Sequence, residues 1–116
     1  GIKTIVASIT LDHCFETFNQ GCYPDLIKMD IEGGGIFALK GCVNCISRKR
    51  PFVLIESHTP GEDQAVGHIL QHYNYEAFRI SNAKWVLHQD RNYKDPDGVW
   101  GTMLLIPVER KAAFID

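Results

Sequence analysis

Leu26-Ile27-Lys28-Met29-Asp30-Ile31-Glu32-Gly33-Gly34-Gly35 is the stretch on which the fold turns. A short apolar run, interrupted by Lys28 and Asp30, leads straight into three glycines. Beyond them Ile36, Leu39, Val43 and Ile46 recur at helical spacing. Arg48, Lys49 and Arg50 fall where cations suit the negative end of a helix dipole, and Pro51 stops the helix. Residues 26–50 therefore read strand, glycine turn, helix. The glycines predict a tight turn with close backbone packing. They do not make a phosphate loop, because neither Gly-x-Gly-x-x-Gly nor Gly-Lys-Ser/Thr is present.

Toward the C-terminus, Phe52 to Glu56 is nearly continuous apolar sequence, the pattern of a strand covered on both faces. Thr59 and Glu62 form a capping box, with Pro60 at the first helical position. Ala65, Val66, Ile69, Leu70 and Tyr73 give the helix that follows an apolar face. Residues 75–80 alternate as a strand, 84–87 predict another, 88–100 form a loop around Asp95-Pro96-Asp97-Gly98, and 102–108 form a last strand. Pro107 suggests an edge position or a frayed end for that strand, and the tail 109–116 reads as loose. Toward the N-terminus, the β-branched residues of 4–10 predict a strand. Asp12 is expected to cap a helix over 13–19, with Phe15 and Phe18 facing inward and Gly21 stopping it.

The alternation β-α-β-α-β predicts an α/β fold with a mostly parallel sheet and antiparallel C-terminal strands. With 116 residues, 45% of them hydrophobic, and a net charge of −2, the chain is expected to form one domain over 1–116. No apolar run nears the ~18 residues of a membrane span, and no secretory signal is visible. A pI near 6.2 leaves no electrostatic footprint for nucleic acid. Cys14, Cys22, Cys42 and Cys45 are expected to be buried or partly buried thiols of a cytoplasmic protein. Cys42 and Cys45 fall late in a helix, the wrong end for a redox Cys-x-x-Cys.

Chemistry is expected beyond the carboxyl ends of the strands. One strand ends in Asp30-Ile31-Glu32-Gly33 and the next in Glu56-Ser57-His58. If those strands are neighbours, Asp30, Glu32, Glu56 and His58 converge on one rim, a set suited to general-base work or to a hard metal. Each also has a structural reading, as a cap, a first-turn acid or an exposed loop residue. His68 and His72 share a helix face without a third ligand, which favours a solvated face.

Thr10-Leu11-Asp12, Pro24 through Gly33, Leu39-Lys40-Gly41, Arg50-Pro51, Ile55-Glu56 and the Tyr73–Tyr75 turn resemble the FkbM family of methyltransferases over most of residues 8–107. The resemblance implies a class I, Rossmann-like, three-layer sandwich and S-adenosylmethionine-dependent O-methylation of a small-molecule acceptor, a sugar or polyketide hydroxyl. It implies Asp30 and His58 as catalytic residues and Glu32 and Glu56 as substrate-binding residues, with no metal assigned and a metal bridging Asp30 and Glu56 left as a hypothesis. The family's glycine-rich cofactor turn, Asp/Glu-x-Gly-x-x-x-Gly, lies upstream of this motif, so the chain maps onto the C-terminal portion of such a domain. Its cofactor-binding residues are then unknown, and weak or absent cofactor binding is expected. Gly33-Gly34-Gly35 also stands where the family usually has Gly-Ala-Glu. A homodimer across the exposed sheet edge is a further expectation. Two other readings remain open: a non-catalytic α/β module, and a small metal-binding domain using Asp30, Glu56 and His58.

Overall fold

Parallel pairing of two short strands organises the molecule. In the computed structural model, which describes residues 1–81, 84–88 and 100–114, β1 (Leu26–Met29) lies beside β2 (Phe52–Ser57), with Met29 opposite Ile55. The sheet continues with β5 (Gly101–Pro107), then β3 (Tyr75–Ser81), then β4 (Lys84–Leu87). β5 is antiparallel to both β2 and β3, so β1, β2 and β3 all point the same way. The α/β class and the antiparallel C-terminal strands agree with the sequence. The mostly parallel pairing does not: among the described residues one of the four strand pairings is parallel, because β5 inserts between β2 and β3. Pro107 closes a central strand rather than an edge one, at the last pair with Tyr75.

Burial alternates along β2, which separates the two faces of the sheet. On one face Val53, Ile55, Met103, Leu105, Tyr75 and Ala77 form the core. It is closed by Leu39 of α2 (Gly35–Lys40), by Cys45 and Ile46 of a π-helical turn (Cys45–Lys49), and by Val66, Ile69 and Leu70 of α3 (Pro60–His72). The single helix expected over 36–50 is thus broken at Gly41, the cap of α2. On the opposite face Leu54 and Leu104 are half-buried. There Arg110 lies over the Phe52 ring and Lys111 pairs with Glu76, so the start of the tail, through Lys111, is docked, where a loose tail is expected from the sequence. A second helical layer of a three-layer sandwich is not seen among the described residues.

The N-terminal expectations needed the largest corrections. Residues 4–10 form no strand and are exposed, because no neighbouring strand receives their β-branched side chains. α1 (Leu11–Phe18) is capped by Thr10, whose hydroxyl accepts from the His13 amide, rather than by Asp12. Asp12 is buried and accepts the amides of Asn44 (2.8 Å) and Cys45 (2.9 Å), fastening α1 to the start of the π-helical turn. Phe15 packs on the core, but Phe18 is 72% exposed. Residues 89–99 of the expected loop lie outside the described residues. Trp100, at its end, is in the core. No helix among the described residues is long and apolar enough to cross a membrane.

The opposite end of the sheet from the strand-end carboxylates is held by Arg50. Its left-handed backbone (φ 62°) ends the π-helical turn. Its guanidinium donates to the Tyr73 and Asn74 carbonyls, pairs with Glu109 and stacks over Tyr75. That pairing holds the Glu109 carboxyl well below its usual range, at about 2.

All four cysteines are unpaired. Cys22 is exposed, which departs from the expectation, while Cys42 and Cys45 are fully buried. Burial pushes the Cys42 thiol up to about 12 and the Cys45 thiol up to about 11. Unfolded thiols ionise near 9 and the native ones do not. Their contribution to stability is therefore fully present below pH 9 and is lost as pH climbs toward 12. A thiol reagent at pH 8 should modify Cys22 first and leave Cys42 and Cys45 unreacted until urea unfolds the chain. Four equal rates in the native protein would contradict this burial.

Candidate functional site

The carboxyl ends of β1 and β2 bring three of the four expected residues together. Asp30 follows Met29, the last residue of β1, and the parallel register places it beside Glu56. His58 follows β2 directly. Its Nε2 lies 3.5 Å from Asp30 Oδ1 and 3.5 Å from Glu56 Oε1. One donor atom from each of the three residues lies within 4.8 Å of the others. The side chains are 47%, 46% and 30% exposed for Asp30, Glu56 and His58, so the cluster is open to solvent yet anchored on sheet backbone. Glu32 does not join this group. It sits in the turn after β1 with a left-handed backbone (φ 45°) and an exposed side chain.

What holds the cluster in place is Glu62, which the sequence suggested only as half of a capping box. The other half forms as expected: Thr59 caps α3, its hydroxyl accepting from the Glu62 amide at 3.2 Å. The Glu62 carboxylate, however, is fully buried and reaches away from its own helix. Oε1 accepts the Gly33 amide (2.9 Å) and the His58 amide (3.0 Å), and Oε2 accepts the Gly35 amide (3.2 Å). One acid in the first turn of α3 thus ties the glycine turn after β1 to the residue that ends β2, with the helix dipole favouring its charge. The glycines make this possible. Gly33 takes a φ of 95°, and a Cβ on Gly35 would overlap Glu62 Oε2. The close-packed turn expected from the triple glycine is therefore present, with a buried carboxylate as its partner.

Asp63 acts beside it. Its carboxylate accepts from Ser57 Oγ (2.5 Å) and from the Trp100 amide (3.1 Å), which joins the end of β2, α3 and the entry to β5. Neither acid was assigned such a role from the sequence. The only signal was their place in the first turn of a capped helix, since their partners lie up to 37 residues away. His68 and His72 stack at 4.2 Å between ring centroids and are exposed on α3, as expected for a solvated face.

No curated protein and no solved structure matches the chain. The model of the methyltransferase FkbM domain matches residues 1–80, a segment that contains β1, the glycine turn, β2, α3 and every residue of the cluster. The match ends within β3, short of the region to residue 107 over which the sequence resemblance extends. With 80 of 116 residues matched, the chain belongs to the FkbM methyltransferase domain family.

Proposed function

We propose that this chain forms the acceptor side of a cytoplasmic, S-adenosylmethionine-dependent O-methyltransferase. One observation carries the reading: Asp30 Oδ1, Glu56 Oε1 and His58 Nε2 converge at the carboxyl ends of two adjacent parallel strands, the rim where α/β sheets bind ligands. Methylating a hydroxyl requires that its proton leave. Asp30 Oδ1 and His58 Nε2 are two acceptors 3.5 Å apart, close enough for one hydroxyl to face both. Glu56 adds a second carboxylate for the acceptor's neighbouring hydroxyls, and Glu32 lies on the turn beyond, which suits a sugar or polyketide. Positioning accounts for much of the rate in such a displacement, and sheet backbone fixed by Glu62 provides it. Four unpaired cysteines support the cytoplasmic setting.

S-adenosylmethionine would supply the methyl group. The glycine turn does not cradle it, because the Gly33 and Gly35 amides are already taken by the Glu62 carboxylate. That same observation favours a second reading, a non-catalytic α/β module descended from the family. Calorimetric titration with S-adenosylhomocysteine separates the two, followed by incubation with methyl-labelled donor and a panel of sugar and polyketide hydroxyls. Micromolar binding with label transferred to an acceptor would show that the chain rebuilds a cofactor pocket and would carry the enzyme reading. No binding at millimolar ligand, in line with the weak or absent binding expected from the sequence, would carry the module reading.

A further inference from the structure

We propose that Asp30, Glu56 and His58 form a binding site for a first-row divalent cation. The inference deepens the reading of the same rim and is tested separately from it. Metal–ligand bonds of about 2.0–2.2 Å at tetrahedral or octahedral angles place neighbouring donors about 2.8–3.6 Å apart. His58 Nε2 stands 3.5 Å from a carboxylate oxygen on either side.

The imidazole supplies a second, independent observation. Its Nδ1 is buried and has no hydrogen-bond partner. Glu62 Oε1 lies 4.0 Å from it. Without a cation the two nearer carboxylates favour a hydrogen on Nε2; a cation would displace it, leaving the imidazole hydrogen on Nδ1, on the side of Glu62. Nε2 and the two carboxylate oxygens would then be three donors within 4.8 Å of one another. A cation there satisfies all three. Glu62 Oε1, 4.0 Å from Nδ1, would have to close to hydrogen-bond distance to serve as the outer carboxylate that commonly orients a metal-bound histidine. One imidazole with two carboxylates suits manganese, iron or zinc rather than calcium, and the coordination positions left open face solvent, where a hydroxyl oxygen could enter.

Manganese(II) is the probe, because it is a poor partner for the four thiols. Loss of the free-ion paramagnetic resonance signal is measured on the purified chain, without methyl donor. The expected result is binding that weakens tenfold or more in each of Asp30→Asn, Glu56→Gln and His58→Ala. The variants are checked for native circular dichroism, which these half-exposed positions should preserve. The double variant His68→Ala/His72→Ala should bind as the unmodified chain does. Three results would overturn the site: no binding at millimolar manganese, binding indifferent to the three single variants, or binding lost with His68 and His72. Because no donor is present, failure of methyl transfer leaves this measurement standing, and its failure leaves methyl transfer standing.

Discussion

Asp30→Asn is expected to lower the rate of hydroxyl methylation by about 10²-fold, the lower end of what a positioned proton acceptor contributes. The amide keeps the size and shape of the carboxylate but loses its basicity. Because Asp30 is half-exposed and lies past the last paired residue of β1, the fold should not notice the change. The loss should therefore fall on kcat, with KM for the acceptor little altered. His58→Ala should cost a similar factor, and the double variant no more than the worse single, since the two groups face one hydroxyl. Steady-state kinetics on the three variants checks this. An Asp30→Asn protein with unmodified turnover would remove the case for Asp30 as proton acceptor.

Glu62→Ala is expected to destabilise the fold by on the order of 3 kcal/mol, read from urea unfolding. The carboxylate is fully buried and accepts three backbone amides, those of Gly33, Gly35 and His58. Removing it orphans donors that the interior cannot otherwise satisfy, at ~1–3 kcal/mol for each fully buried one. Gly35→Ala reaches the same contact from the other side. Its methyl would displace Oε2 of a carboxylate that three hydrogen bonds pin in place, so a cost of about 2 kcal/mol is expected. In the Glu62→Ala background that obstruction is gone. Alanine at 35 should then be nearly neutral or slightly stabilising, because a helical alanine is preferred to glycine. A double-mutant cycle should thus show coupling between residues 27 positions apart, and strict additivity would refute the contact.

This pairing also explains how far the sequence could be read. β1, the glycine turn, β2 and α3 were legible because each is written locally, in apolar runs, glycines and a capping threonine. Asp30, Glu56 and His58 were legible because strand ends are where such residues gather, and neighbouring parallel strands need only a register to join them. Residues 4–10 misled because β-branched residues favour strands only when a partner strand exists. Asp12 misled because two residues, Thr10 and Asp12, could each cap a helix, and nothing local says that Asp12 serves one 32 residues away. The insertion of β5 between β2 and β3 was hidden for the same reason. Strand order is decided by the whole sheet, whereas periodicity reports one strand at a time. The roles of Glu62 and Asp63 are long-range as well, and only the fold shows what a buried carboxylate touches.

The two halves of the rim are unequally supported. Glu56 lies in, and His58 directly follows, a strand with a neighbour on each side, whereas Asp30 follows a four-residue strand that, among the described residues, pairs with β2 alone. Fluctuations cost least where the fewest contacts break. The aspartate therefore rides on the softer lip of the rim and the imidazole on the stiffer one, so a molecule arriving there is expected to shift the aspartate's side more than the histidine's.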